Sequence, residues 1–283
     1  MVPGDEMAAR RANLRAIEGG KGKVVSRVSE SSSPARRKSP SAAKGKIIAG
    51  KPRKTASKNR SKMRSAALEA AQRTLELESA GLSELREALA NGLGGPFAEA
   101  VQTVAQARGR VIVSGIGKSG HIGQKIAATF ASTGTPAFFV HPSEASHGDL
   151  GMITRDDVIL AISWSGESVE LLNIIAFYRR FSVPLVALTS RKRSALGSQA
   201  NVCLELPRSK EACPHGLAPT TSTTMQLAIG DCLAIALLET KGFTALDFKV
   251  FHPGGSLGAS LKYVSDLMHR GDDMPIARYD EDM

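Results

Sequence analysis

Five short apolar runs decide what residues 110–206 can become: Arg110–Ser114, Ala137–Val140, Val158–Ile162, Leu185–Thr189 and Val202–Leu206. A strand with one wet face alternates polar and apolar residues. These runs do not alternate, so each must be covered on both sides. Helix-like stretches fall between and around them, at roughly Gly120–Ser132, Val169–Phe181, Ser194–Gln199 and Ser222–Lys241. Two more precede the first run: Ala66–Leu89, with Leu68, Ala71, Leu75 and Leu82 at helical spacing, and Phe97–Ala107 beyond the breaker Gly92–Pro96. Strands alternating with helices predict an α/β fold, a three-layer sandwich with a five-stranded parallel sheet between helices. No internal repeat is present.

Charge divides the chain elsewhere. Residues 1–63 hold 17 of the 37 Lys and Arg but only 4 of the 27 Asp and Glu, so they carry +13 while the remainder carries −3. This stretch has no aromatic residue and nine serines between Ser26 and Ser61. It buries too little to offset ordering entropy of about 1–2 kcal/mol per residue, so 1–62 is expected to be a disordered basic extension. A solvated or spurious leader before a true start at Met63, a nucleic-acid arm and an organelle transit peptide remain open readings. Nucleic acid is not expected as a partner, because a helix-turn-helix needs a core that 1–63 lacks the periodicity to build.

No apolar run reaches 18 residues; the longest, Met225–Leu238, contains Asp231 and reads as a buried helix. Cys203, Cys213 and Cys232 are odd in number, without Cys-x-x-Cys spacing, and the N-terminus has no apolar core of a secretory signal. Both features point to a reducing compartment and a cytoplasmic protein without membrane attachment.

In an open parallel sheet, ligands collect beyond the carboxyl ends of the strands. The first such end is Gly115–Gly123, GIGKSGHIG. It fits G-x-G-x-x-G, yet the next run ends at His141-Pro142 and not at a ribose-binding acid. A P-loop would need glycine where Ile112 stands. A flexible turn for a small anion, or glycines serving only tight packing, are what remain. The third run ends in Ser163-Trp164-Ser165-Gly166-Glu167-Ser168. Three hydroxyls and the amides of a helix start can satisfy a phosphate, more than an N-cap requires. Trp164 could equally be packing.

That serine loop resembles the S-x-S-G-x-[ST] phosphate loop of sugar isomerase (SIS) domains. The segments Gly115–Gly123, Ala131–Pro136, Phe139–Gly151, Glu211–Thr224 and His252–Gly258 resemble one branch of that family, the D-arabinose 5-phosphate isomerases. Members interconvert D-ribulose 5-phosphate and D-arabinose 5-phosphate for Kdo and lipopolysaccharide synthesis. The resemblance runs from about Met63 to about Asp273 and implies a SIS domain over 63–262. Family members usually continue into paired CBS domains; Asp266–His269 is similar to the entry of the first, so 263–283 is expected to be a truncated start.

An aldose–ketose isomerase opens the sugar ring and moves a proton between neighbouring carbons, which needs a base, a stabiliser for enediolate oxygen and a phosphate anchor. No tight His/Asp/Glu spacing suggests a metal-assisted hydride shift, and no cofactor is expected. The resemblance implies catalytic roles for Lys118, Glu170, Glu211 and His252. In the expected division, Glu211 or Glu170 moves the proton, His252 opens the ring and Lys118 steadies anionic oxygen. Glu211 occupies a loop where an acid has no evident structural duty. The same resemblance implies substrate contacts at Gly117, Ser119, Gly134, Thr135, His141, His147, Ser163, Ser165 and Ser168, an inhibitory zinc at His141, and a homotetramer whose neighbours share sites. Alternatives are an isomerase of another sugar phosphate and a sugar-phosphate-sensing DNA-binding regulator.

Overall fold

The computed structural model describes residues 54–252 and Met268, His269, Gly271 and Met274, with side chains described from Arg60 onward. The expected disorder before Lys54, the motif beyond His252 and the CBS-like start lie outside the described residues. Five strands form one all-parallel sheet in the order β2-β1-β3-β4-β5: β1 (Val111–Gly115), β2 (Ala137–Phe139), β3 (Val158–Ile162), β4 (Leu185–Thr189) and β5 (Val202–Glu205). The order reverses between β1 and β3, where an open sheet of this type parts its loops into a cleft.

Alternate residues feed two cores. Val111, Val113, Val158, Leu160, Ile162, Val186, Leu188, Val202 and Leu204 pack with α1 (Lys54–Ala90), α2 (Gly94–Ala105), α3 (Gly117–Ser132) and α6 (Thr221–Thr240). Ile112, Ile159, Ala161, Leu185 and Ala187 face the opposite layer, which contains α4 (Pro142–Ala145) and α5 (Leu172–Phe181). β1, β3 and β4 are buried at every residue, which is why their sequences do not alternate. Each buried branched side chain contributes about 1.5–3 kcal/mol.

α6 is the one described helix long and apolar enough to cross a membrane, and half of it is buried inside the fold as a core helix. It crosses α3 at Gly230, where any Cβ would collide with Ile126, so glycine sets how closely the two helices approach.

Two expectations change. α1 begins at Lys54, nine residues before Met63, because no Pro or Gly interrupts the chain after Pro52. Ser194–Gln199 is a chain of turns and not a helix. There the Leu196 amide donates to the Gly166 carbonyl at 3.0 Å, and the Ser194 hydroxyl accepts from the Gly197 amide at 3.1 Å. Backbone groups that a helix would pair internally are spent on holding a neighbouring loop. A short helix at the end of the described chain, α7 (Ala245–Phe251), follows a capping box at Thr244 and Asp247.

Candidate functional site

Ser163–Ser168 turn over the carboxyl end of β3. Gly166 has φ +70°, a conformation costly for other residues, and a Cβ there would run into Ser194. The buried Ser163 hydroxyl accepts the Gly166 amide at 3.1 Å and lies 2.9 Å from the Ser168 hydroxyl. The exposed Ser165 hydroxyl accepts the Glu167 amide at 3.2 Å. From β4's end, the Ser190 amide, the Ser190 hydroxyl and the Thr189 hydroxyl all donate to the Trp164 carbonyl, at 3.0, 2.8 and 3.2 Å. Trp164 is partly buried and packs against the core. The result is a preformed cup of hydroxyls that β4 holds in place.

Beside it, the β1 turn places Gly117 at φ +58° and Lys118, exposed, in the first turn of α3. Gly120 and Gly123 are there for packing: added Cβ atoms would stand 2.7 Å from the Gly115 carbonyl and 3.1 Å from the Phe139 ring. The Ser119 hydroxyl donates to Gln226 Oε1 of α6 at 3.2 Å.

Glu211 reaches the same rim from β5, and there it has a structural duty that the sequence reading did not see. Its Oε2 accepts from the Thr220 amide at 2.7 Å, the Thr220 hydroxyl at 2.8 Å and the Ser222 amide at 3.4 Å. The carboxylate therefore caps α6 across a loop and favours the positive end of its dipole. Burial works against its charge, but the hydrogen bonds from Ser222 and Thr220 outweigh it and hold the carboxyl below its ordinary range. All three of these bonds fall on Oε2, so that oxygen is anchored to the start of α6. α1 braces this loop, with Ser209 bonded to Glu84 and Gly81 pressed on Thr221. Downstream, the amides of Ala218, Leu217 and His215 fold around Cys213 and lower its thiol, a local effect that spacing alone does not reveal.

Glu170 is half-buried in the single 3-10 turn that follows the serine cup. His141 and the exposed His147 flank α4 at the carboxyl end of β2, on the same rim. His141 Nδ1 accepts the Ser143 amide at 3.3 Å as the N-cap of α4. No group of three His, Cys, Asp or Glu suited to a metal occurs among the described residues, and this single imidazole does not fit the zinc that resemblance implied.

Three implied residues are not brought to this rim. Gly134 and Thr135 precede β2, at the amino edge of the sheet. Gly134 has φ +86° and abuts Phe243, and the buried Thr135 hydroxyl accepts from Lys241 at 2.9 Å. His252 belongs to the same edge: it follows Phe251, whose ring stacks on Phe243 at 5.7 Å. Its own ring stacks on Phe248 at 3.8 Å, with Nδ1 2.9 Å from the Phe248 carbonyl. Within one chain the sheet separates these residues from the serine cup.

Residues 103–236 match the SIS domain family. The chain is 51% identical over 210 residues to the arabinose 5-phosphate isomerase KdsD of Yersinia pestis, an alignment that takes in 73% of this chain. It spans only 62% of that relative's length. A solved protein of E. coli CFT073, c3406 in complex with arabinose 5-phosphate, is 40% identical and superposes with a TM-score of 0.63 over 67% of this chain and 98% of its own. A Listeria monocytogenes protein described as a candidate sugar-phosphate isomerase is 29% identical over the same shares, with a TM-score of 0.64.

Proposed function

We propose, from the premise that the chain belongs to the SIS domain family, that it is an aldose–ketose isomerase of a pentose 5-phosphate, interconverting D-ribulose 5-phosphate and D-arabinose 5-phosphate. The observation that carries this reading is the pairing of a rigid hydroxyl cup, Ser163–Ser168, with an immobilised ionised carboxylate, Glu211, at the carboxyl ends of one sheet. Identity of 50% or more to enzymes of that name, and a related protein solved with arabinose 5-phosphate, support the choice of sugar.

The phosphate sits in the serine cup, where hydroxyls and helix-start amides replace its hydration. Holding that end fixes the rest of the open chain, so the carbon beside the carbonyl comes within reach of a base without further loss of freedom. Glu211 takes the proton through Oε1 while Oε2 stays bonded to α6, and returns it to the adjacent carbon. Lys118 neutralises the enediolate oxygen. Glu170 remains the second carboxylate able to take the proton. His252, which a single chain keeps at the other edge, opens the ring from a neighbouring copy; this fits a homotetramer with shared sites. Gly134 and Thr135 would act from that neighbouring edge too. His141 and His147 line the sugar's approach along β2. We place the reaction in the cytoplasm, where the three free cysteines stay reduced, and its product in Kdo and lipopolysaccharide synthesis.

The test is NMR of the protein with ribulose 5-phosphate in deuterated water. Arabinose 5-phosphate carrying solvent deuterium at carbon 2 is the expected product. Product without deuterium would argue for a hydride shift, and no product would end the pentose reading.

A further inference from the structure

Beyond the carboxyl ends of β4 and β5 lies a second concavity, of about 470 Å³, lined by four cations: Arg191, Lys192, Arg193 and Arg208. None of the cup's three serines borders it, nor does Lys118, Glu170 or Glu211. Two carboxylates do, but each is engaged by the backbone. Glu205 accepts from the Lys192 amide at 3.0 Å, and Glu167 accepts from the Ala195 amide at 3.2 Å. The ion pairs among the described residues are Arg110–Asp157 and Lys125–Asp231, so none of the four cations has a carboxylate partner there. The hollow is cationic on a body that carries −3 beyond residue 63.

Three of these cations are consecutive, and the turn that carries them is tightly wound. A Cβ at Gly197 would stand 2.7 Å from the carbonyl oxygens of Arg191 and Lys192. The Ser194 amide and hydroxyl both donate to the Arg191 carbonyl, at 3.1 and 2.6 Å, and the Arg191 amide donates to the Thr189 hydroxyl at 3.3 Å. From beyond β5, Arg208 Nε donates to the Ser190 carbonyl at 3.1 Å and adds a fourth charge to the same wall. Like charges gathered on a fixed backbone repel one another, and a bound anion relieves that cost. Three of the four are arginines, whose planar N–H forks match phosphate oxygens in pairs. A neighbouring concavity of about 480 Å³ shares Lys192, Glu205 and Arg208 and runs on to the apolar Leu93 and Pro96.

We propose that this hollow is a second anion site, separate from the serine cup, and that it takes a di- or polyphosphate. Arg191, Arg193 and Arg208 grip the phosphoryl oxygens, and Lys192 adds a point charge. The apolar extension past Leu93 has room for the organic part of an ester. A compact anion fits better than a nucleic-acid strand, because the positive charge is confined to one hollow flanked by Glu99, Glu167 and Glu205. The site does not rest on the isomerase reading.

The test is calorimetric titration with pyrophosphate of the full chain carrying Ser165→Ala and Ser168→Ala, which weaken the serine cup. One anion per chain should bind with Kd below about 1 mM. Adding Arg191→Gln and Arg193→Gln should weaken binding at least about tenfold. Adding Arg64→Gln and Arg73→Gln instead, which removes the same charge from the exposed side of α1, should change it less than about twofold. No binding to the parent chain, or an equal loss in both variants, overturns the proposal. ADP is the second probe. Tighter binding than pyrophosphate would assign the apolar extension to an ester's organic part, and equal binding would assign the site to the free anion; both keep the site. A short single-stranded DNA held more tightly than either, and lost with the same two arginines, would assign the surface to nucleic acid and overturn it. With the cup intact, Arg191→Gln/Arg193→Gln should keep ribulose 5-phosphate turnover within about twofold, because the turn reaches the serine loop through backbone amides, Thr189 and Ser190. A larger loss with an unchanged melting temperature would make the hollow part of the cup's own site and overturn its separateness. If the wild type turns over no pentose phosphate, the isomerase reading fails, and the calorimetry still decides this site.

Discussion

At the scale of the residue, Glu211 caps a helix, and the proposed reaction asks it to act as a base as well. As a cap it satisfies orphan amides at the start of a 20-residue helix, and as a base it needs one free oxygen. Glu211→Gln separates them. The glutamine carbonyl can still accept from Thr220, so the fold should survive with a stability loss of about 1 kcal/mol, while turnover falls by about 10²–10⁴. Unchanged turnover would transfer the proton to Glu170. The lowered carboxyl also fixes the direction of a pH effect. A base held below its ordinary range stays ionised to lower pH, so the acid limb of kcat/KM should fall below about 4.3, the usual glutamate value. An acid limb near 6 would identify a histidine as the controlling group. The sequence placed Glu211 in the right loop but could not reveal the cap, because its partners Thr220 and Ser222 lie nine and eleven residues away across a turn.

At the scale of the element, Asp157 ties the start of β1 to the start of β3. Its side chain is fully buried; Oδ1 accepts from the Arg110 amide at 2.7 Å and the Arg110 guanidinium at 3.4 Å. Oδ2 accepts from the Thr154 amide at 2.7 Å and the Thr154 hydroxyl at 3.0 Å. Burial opposes the charge, yet the Thr154 and Arg110 bonds outweigh it and the carboxyl lies below its ordinary range. Its folded value is depressed, so it stabilises the fold above the unfolded value of about 3.9, and that contribution is lost as pH falls through the folded value. Asp157→Ala should cost about 1–3 kcal/mol in urea unfolding at pH 7, because the Arg110 and Thr154 amides lose their acceptor while the half-exposed Arg110 side chain returns to water, and much less at pH 2–3. An equal cost at both pH values would mean that the charge contributes nothing. The same logic explains the element that sequence reading got wrong. Ser194–Gln199 has helical composition, but its Leu196 amide is drawn to Gly166 in another loop, and no local pattern encodes that competitor.

At the scale of the whole molecule, one chain holds the serine cup, Lys118 and Glu211 at the carboxyl edge of its sheet and His252 at the amino edge. Apolar side chains face solvent on several helices, among them Leu75 (66% exposed) on α1 and Val250 (73%) on α7, and these suit burial against further copies. If His252 acts on a neighbour's substrate, mixed oligomers of the inactive chains Glu211→Gln and His252→Ala should regain part of the activity that neither has alone. Failure to complement, with mixed oligomers verified by mass spectrometry, would mean that His252 is not shared. The sequence by itself determined the parallel sheet, its five strands and the loops at their carboxyl ends, since burial on both faces leaves unbroken apolar runs and sharp turns demand glycine and serine in local order. Only the tertiary structure decided that Gln226 lies buried beside Ser119, that Glu211 caps a helix, and that Gly134, Thr135 and His252 stand at the far edge. Those facts depend on contacts between residues more than 100 apart, such as Ser119 with Gln226 and Gly134 with Phe243, and such pairings leave no period in the chain.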